Sequence, residues 1–115
     1  MIRLIAICLA IGVGVALAPG FAQAAEGNPA AGKGKSAMCA GCHGIPGYKT
    51  AFPVTYSVPK LGGQHAAYIV KALQSYKNGD RTHPSMRAIA AGLTDQDMAD
   101  VAAYYATTAV QSASK

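Results

Sequence analysis

The sequence predicts a small all-α fold of about four short helices and one long loop. Two segments, residues 64–77 and the segment that begins at Thr94, place apolar residues at helical spacing. Glycines and prolines interrupt residues 44–63 at short intervals, which predicts a loop. So long a loop is uncommon in a compact domain without a functional reason. We therefore expect it to wrap around a large bound group.

The first helix is expected over residues 30–38. Asn28 is a favourable N-cap because its side chain can accept a backbone N–H, and Pro29 suits the first helical position because it has no N–H to leave unpaired. Gly32 and Gly34 each lower helix propensity by about 1 kcal/mol relative to alanine. That cost predicts tertiary support, and we expect a close helix crossing at Gly32.

Residues 64–77 form the strongest predicted helix. Asn78 and Gly79 end it, because helices commonly end with a left-handed residue that is usually Gly and sometimes Asn. Polar side chains fall largely on one side of this helix. Its apolar face consists of Tyr68, Ile69, Ala72, Leu73 and Tyr76.

Two further helices complete the predicted fold. After a polar turn at residues 80–83, Pro84 opens a short helical piece over residues 85–91, which Gly92 stops. Thr94 is the expected N-cap of the last helix, and acidic residues in its first two turns suit the helix dipole. The apolar stripe of that helix consists of Met98, Val101, Ala102 and Tyr105.

The segment Cys39-Ala40-Gly41-Cys42-His43 indicates which group the fold encloses. Two cysteines three positions apart, followed directly by a histidine, form the attachment pattern of a c-type haem. Cys39 and Cys42 can each add to a porphyrin vinyl group across a tight turn, and His43 can then bind the iron. A zinc site and a redox dithiol are the alternatives. Neither is favoured, because the motif lacks a second ligand pair at finger-like spacing and a βαβ setting.

The composition supports a bound cofactor and excludes some other functions. The chain has 115 residues, three cysteines and no tryptophan, so it forms one domain with few large core side chains. A buried haem would supply the missing apolar body. The net charge of +5 comes from scattered basic residues without a Lys/Arg run or a nucleic-acid motif, so nucleic-acid binding is not expected.

Residues 1–24 are predicted to be a signal peptide, and residues 25–115 the haem domain. Arg3 supplies a positive n-region, residues 4–17 an apolar region, and an A-x-A cleavage signal ends at Ala24. An uncleaved anchor is the alternative, but the apolar run falls short of the ~20 residues that a spanning helix needs. We expect export to the periplasm and no stable membrane insertion after cleavage.

The second axial ligand decides what the haem can do. A filled sixth site favours electron transfer, whereas an open site permits ligand binding or catalysis. The candidate ligands are Met38, Met86, Met98, His65 and His83. Met86 follows a proline between two helices, far enough along the chain from the haem motif to return on the opposite face of the porphyrin. Spacing therefore favours Met86, with His83 and an open site as the remaining alternatives.

The mature chain, from about residue 28 to residue 107, resembles a small bacterial monohaem class I cytochrome c. Besides the haem motif, the similarity covers four segments in order, namely residues 28–33, 59–64, 79–86 and 93–105. The resemblance implies a class I cytochrome c-like fold around one covalently attached haem, with Met86 as the distal ligand opposite His43.

The resemblance also implies supporting contacts. The Pro59 carbonyl would accept a hydrogen bond from the His43 ring and so fix its tautomer. Gly32 would lie where the first and last helices cross, against Tyr104 or Tyr105. Residues 45–57 do not align with the family pattern, so the contacts of residues 44–58 with the haem and its propionates stay unassigned.

Together these expectations describe a monomeric electron-transfer protein and not an enzyme. It would exchange single electrons with redox partner proteins, which could carry acidic docking surfaces. Two alternatives remain: a haem subunit of a periplasmic oxidoreductase complex, and a haem enzyme or sensor with an open sixth site. The scattered lysines could steer an acidic partner, or they could simply solvate the surface. These lysines are Lys33, Lys35, Lys49, Lys60, Lys71 and Lys77.

Overall fold

The computed structural model describes residues 25–52 and 54–112, with side chains as far as residue 108. The predicted signal peptide and its cleavage point lie outside these residues. Helices dominate, which confirms the all-α prediction, and none in the described part of the chain is long and apolar enough to cross a membrane. In chain order the elements are α1 (Pro29–Lys35), α2 (Ala37–His43), β1 (Lys49–Thr50), β2 (Tyr56–Ser57), α3 (Ala66–Asn78), α4 (Pro84–Ala91) and α5 (Asp95–Ser112).

The predicted first helix is in fact two helices. α1 ends at Lys35 and α2 begins at Ala37, with Ser36 between them. The Ser36 hydroxyl donates to the Lys33 carbonyl at 2.8 Å, and the Ser36 N–H donates to the Gly32 carbonyl at 2.9 Å. Such local side-chain bonds to the backbone compete with continuation of a helix. The haem motif therefore lies in a short helix of its own, and not in the expected tight turn.

Two glycines, one within α1 and one just before it, let this part of the chain approach α5 closely. A Cβ atom on Gly32 would lie 2.0 Å from the Asp100 carbonyl oxygen and 2.9 Å from Tyr104 Cβ. A Cβ atom on Gly27 would lie 2.1 Å from the Ala99 carbonyl oxygen. Neither site has room for a side chain without displacing a backbone. The close crossing predicted at Gly32 is confirmed, with Tyr104 as its neighbour.

Polar contacts hold the same crossing together. Lys35 Nζ lies 2.6 Å from Asp97 Oδ1 and 2.7 Å from Asp100 Oδ2. Asp100 is buried, and its Oδ1 accepts the Asn28 backbone N–H and the Gln96 amide, each at 2.8 Å. The Asn28 N–H, followed by Lys35 and Gln96, lowers the pKa of Asp100 to about 2. The Asp100 carboxylate is therefore ionised at neutral pH.

The helix ends follow the sequence signals. α3 ends at Asn78, and Gly79 follows it in the left-handed conformation with φ of 90°. α4 begins at Pro84, as predicted from the proline. The Thr94 hydroxyl accepts the Asp97 N–H at 3.1 Å and donates to the Asp97 carboxylate at 2.7 Å, which caps α5.

The apolar core lies where α3, α4 and α5 meet. Met98 of α5 is fully buried there, so it has the packing role expected of it. Met86 of α4 is partly buried and packs against the edge of this core cluster. The cluster itself consists of Ile69, Leu73, Ala90, Leu93, Met98 and Ala102.

A short hairpin interrupts the segment predicted to be an irregular loop. β1 and β2 pair antiparallel, with Lys49 opposite Ser57 and Thr50 opposite Tyr56. Strands of two residues are too short to show an alternating pattern in the sequence. The hairpin carries exposed apolar side chains into solvent, including Phe52 at 88 % exposure.

Candidate haem-binding site

α2 brings the two predicted attachment residues and the predicted proximal ligand together. Cys39 and Cys42 are free thiols, partly buried and exposed respectively, and their spacing of three places them on the same helix face. His43 is the last residue of α2. Within residues 25–52 and 54–112 no cluster of three or more His, Cys, Asp or Glu side chains could hold a metal ion.

One hydrogen bond fixes the orientation of the His43 ring. Its Nδ1 lies 2.7 Å from the Pro59 carbonyl oxygen. Because a carbonyl can only accept, Nδ1 carries the proton, and the lone pair available for a metal is on Nε2. The contact that the resemblance implied is thus present, and it leaves the nitrogen needed for iron binding free.

Cys39 of α2 and Tyr105 of α5 are both partly buried. Burial raises the pKa of the Cys39 thiol. Burial also raises the pKa of Tyr105 to about 12, with a smaller contribution from Cys39.

A cavity of about 520 Å³ opens beside His43, between the end of α2 and the loop. Its walls include Ile45, Val58 and Leu61, whereas Cys39, Cys42 and Met86 do not line it. This cavity therefore accounts for only the histidine side of the predicted site. Further exposed apolar side chains that could cover a macrocycle are Met38, Ile45, Tyr48, Phe52, Val54, Tyr56 and Tyr68.

Met86 lies apart from these residues, in the first turn of α4. Its backbone N–H donates to His83 Nδ1 at 3.4 Å, so His83 serves as the N-cap of the helix. This contact engages one ring nitrogen of His83, the alternative ligand. Of the other candidates, Met38 is 55 % exposed and His65 is the exposed residue before α3.

Comparison with known proteins identifies the family. The sequence model described as "Cytochrome c" matches residues 24–109, which is most of the chain. The chain belongs to the cytochrome c family. A covalently attached c-type haem is accordingly the cofactor of this cytochrome c.

Individual relatives support the assignment. This cytochrome c is 43 % identical to cytochrome c4 of Pseudomonas aeruginosa over 88 residues. The aligned region covers 76 % of this chain and 41 % of the relative. It is 39 % identical over 84 residues to cytochrome c-554(548) of Halomonas halodenitrificans, which covers 70 % of this chain and 96 % of that protein. The chain thus spans less than half the length of the Pseudomonas aeruginosa protein.

A solved structure confirms the class I cytochrome c-like fold. Reduced recombinant cytochrome c4 from Pseudomonas stutzeri superposes with a TM-score of 0.53 at 30 % sequence identity. The match covers 75 % of this chain and 52 % of that one. The α-helices and the crossing of α1 with α5 are therefore the framework on which the haem residues of this cytochrome c lie.

The residues present fit a c-type haem. Two thiols share a face of α2, and the adjoining imidazole has its coordinating nitrogen unblocked. Cys42 at the surface leaves one thiol accessible for attachment. The donor set is thus complete on the histidine side, whereas the side that Met86 would occupy depends on α4.

Sequence reasoning overlooked Arg81. Its guanidinium lies 5.8 Å from the Tyr68 ring centroid and 5.4 Å from that of Tyr76, and it donates to the Tyr68 hydroxyl at 3.1 Å. In the sequence Arg81 belongs only to a polar turn. The available signal was an arginine three positions after the end of a helix whose apolar face carries two tyrosines.

Proposed function

We propose that this cytochrome c is a periplasmic electron-transfer protein with one covalently bound haem, and not an enzyme. The observation that carries the proposal is the orientation of His43 at the end of the α2 motif. Its Nδ1 donates a hydrogen bond to the Pro59 carbonyl, which leaves Nε2 available. In this proposal residues 1–24 are removed during export, and residues 25–115 form the haem domain.

Each site residue has a distinct role in the proposal. Cys39 and Cys42 would hold the cofactor through thioether bonds, and His43 and Met86 would bind its iron. When bound, the haem supplies reversible one-electron exchange between Fe(II) and Fe(III). The soft thioether of Met86 stabilises the reduced state relative to a second imidazole, which raises the reduction potential. Pro59 keeps the imidazole in one tautomer and orientation.

Intact mass and absorption spectra of the exported protein test the proposal. The expected mass is that of residues 25–115 plus one haem, and the ferric spectrum should show the thioether–iron charge-transfer band. Met86→Ala should abolish that band and lower the potential. A mass without covalent haem contradicts the cofactor assignment. An unchanged spectrum and potential in the Met86 variant would instead favour a sensor or enzyme with an open sixth site.

A haem subunit of a larger oxidoreductase is the second candidate. The cytochrome subunit of sulfide dehydrogenase from Chlorobaculum tepidum is 36 % identical over 70 residues, which cover 61 % of this chain. The exposed apolar side chains of Phe52 and Val54, at 88 % and 65 % exposure, would suit a permanent interface. Size-exclusion chromatography of native extract at physiological salt separates the two functions, because a subunit elutes with a large complex and a carrier elutes alone.

Partner steering by lysines involves fewer side chains than the sequence suggested. Lys35 is paired with Asp97 and Asp100, and Lys77 donates to the Leu93 carbonyl. In the proposal the exposed lysines that face a redox partner are Lys33, Lys49, Lys60 and Lys71. Electrostatic steering of this kind raises the association rate more than the affinity, which suits a partner that must dissociate.

A further inference from the structure

The turn between α3 and α4 is held to α3 by one arginine. The Arg81 guanidinium lies within 6 Å of the ring centroids of Tyr68 and Tyr76, at distances of 5.8 and 5.4 Å. It also donates to the Tyr68 hydroxyl at 3.1 Å. The two tyrosines are eight positions apart on α3, so a single planar cation spans two turns of that helix.

Two backbone hydrogen bonds also tie this turn to the end of α3. Gly79 has the left-handed conformation with φ of 90°, and its N–H donates to the Tyr76 carbonyl at 3.3 Å. The Arg81 N–H donates to the Ser75 carbonyl at 3.1 Å. Asp80 and Thr82 are both exposed. The side chain of Arg81 adds to these backbone bonds its contacts with Tyr76 and with Tyr68, which lies farther back along α3.

The same turn leads directly to Met86. His83 caps α4 by accepting the Met86 N–H, and its ring contacts Tyr56 edge-on with a centroid distance of 5.1 Å. Pro84 follows His83, and its ring fixes φ at the first position of α4. A displacement of residues 80–83 is thus transmitted to the methionine through a short and stiff connection.

We infer that Arg81 is a positioning residue that holds Met86 in reach of the haem iron. The inference rests on the proposed function, in which Met86 is the distal ligand. Arginine suits this role better than lysine, because its planar group can stack on two rings while it donates to a hydroxyl. Loss of Arg81 should leave α4 folded but let the methionine leave the iron more often.

Competition by an added ligand measures how often Met86 leaves. Imidazole can bind the ferric haem only when the methionine is displaced, so its apparent affinity rises with the methionine-free fraction. Arg81→Met should tighten imidazole binding by about tenfold, since it removes two ring contacts and one hydrogen bond. The charge-transfer band of the same variant should weaken, and Arg81→Lys should lie between the variant and the parent protein.

Two controls separate positioning from other effects. Arg87→Met removes the same charge one residue after Met86, at an exposed side chain of α4, and should leave imidazole affinity unchanged. Val101→Ala truncates a buried side chain of α5 that is not part of the cluster against which Met86 packs. It should lower the free energy of unfolding without changing imidazole affinity, which shows that general destabilisation is not the cause.

The outcomes distinguish the inference from the function on which it rests. If Met86→Ala leaves the charge-transfer band intact, the ligand assignment in the proposed function fails, and the inference fails with it. If that band is lost but Arg81→Met binds imidazole like Arg87→Met, the function stands and the positioning role of Arg81 is wrong. If Val101→Ala tightens imidazole binding as much as Arg81→Met, the effect is general destabilisation and the inference is likewise overturned.

Discussion

The hydrogen bond between His43 and Pro59 shows how one contact sets the tautomer of a candidate metal ligand. The Pro59 carbonyl can only accept, so the imidazole proton lies on Nδ1 and the coordinating lone pair on Nε2. The motif residues could be identified from five consecutive positions. The His43–Pro59 contact joins residues 16 positions apart, which no local pattern specifies. Only the resemblance to a family indicated it in advance.

Stability should fall in acid because of two carboxylates at the α1–α5 crossing. Lys35 and then Thr94 lower the pKa of Asp97, and the contacts of Asp100 lower its pKa to about 2. In the unfolded chain both groups titrate at about 3.9. The unfolded state therefore binds more protons, and stability is lost as the pH falls from about 4 through 2. Urea unfolding of the holoprotein at several pH values measures this loss.

Lys35→Met provides the comparison for this acid dependence. It removes the largest cause of the lowered pKa of Asp97 and the second largest for Asp100. The variant should be less stable at pH 7 and should lose less stability between pH 4 and 2. Parallel acid profiles for variant and parent would show that the ion pairs do not control the acid response.

Helix packing depends on glycine at one position and merely tolerates it at another. Gly32→Ala places a methyl group 2.0 Å from the Asp100 carbonyl oxygen, so α1 and α5 must separate. The expected loss is about 3 kcal/mol in the free energy of unfolding, because separating the helices weakens the packing between them. Chemical denaturation of the holoprotein measures the change.

Gly34→Ala is the matched control in the same helix. A Cβ atom there meets nothing within 4 Å, so only helix propensity changes. This substitution should stabilise the protein by up to about 1 kcal/mol. Equal destabilisation by the two variants would mean that the close crossing is not the reason for Gly32.

The helices whose ends are set by local chemistry were predicted well. Asn28 accepts the Ala30 N–H at 2.9 Å, and Gly79 and Thr94 end and begin helices as expected. The break at Ser36 was missed, because serine at that position is compatible with either one helix or two. Likewise Lys35 was treated as a surface charge, since its partners lie more than 60 positions away and only the helix crossing brings them close.

At the scale of the molecule, the described residues form only a small apolar core. The cluster between α3, α4 and α5 includes two alanines, and the segment between α2 and α3 leaves Phe52, Val54 and Tyr56 largely exposed. Domains of this size bury a limited fraction of their surface, so a bound group contributes much of the stability. The sequence predicted this dependence from its few large apolar residues.

Loss of covalent attachment should therefore unfold much of the chain. Cys39→Ser combined with Cys42→Ser prevents thioether formation and should remove about half or more of the helical circular-dichroism signal at 25 °C. Free haem added back should restore the signal in part, because His43 remains. A double variant with the full helical signal and cooperative unfolding would show that the protein fold does not need its cofactor.

The bond from the Asn28 N–H to the Asp100 carboxylate joins residues 72 positions apart. The α1–α5 crossing therefore gives the domain many contacts of large sequence separation. Such topologies fold slowly, because the entropy cost of closing the chain precedes the stabilisation from the long-range contacts. During synthesis α1 and α2 leave the ribosome long before α5 can meet them. The attachment motif lies between α1 and α5 in the chain, so it belongs to an incompletely packed domain until α5 has met α1.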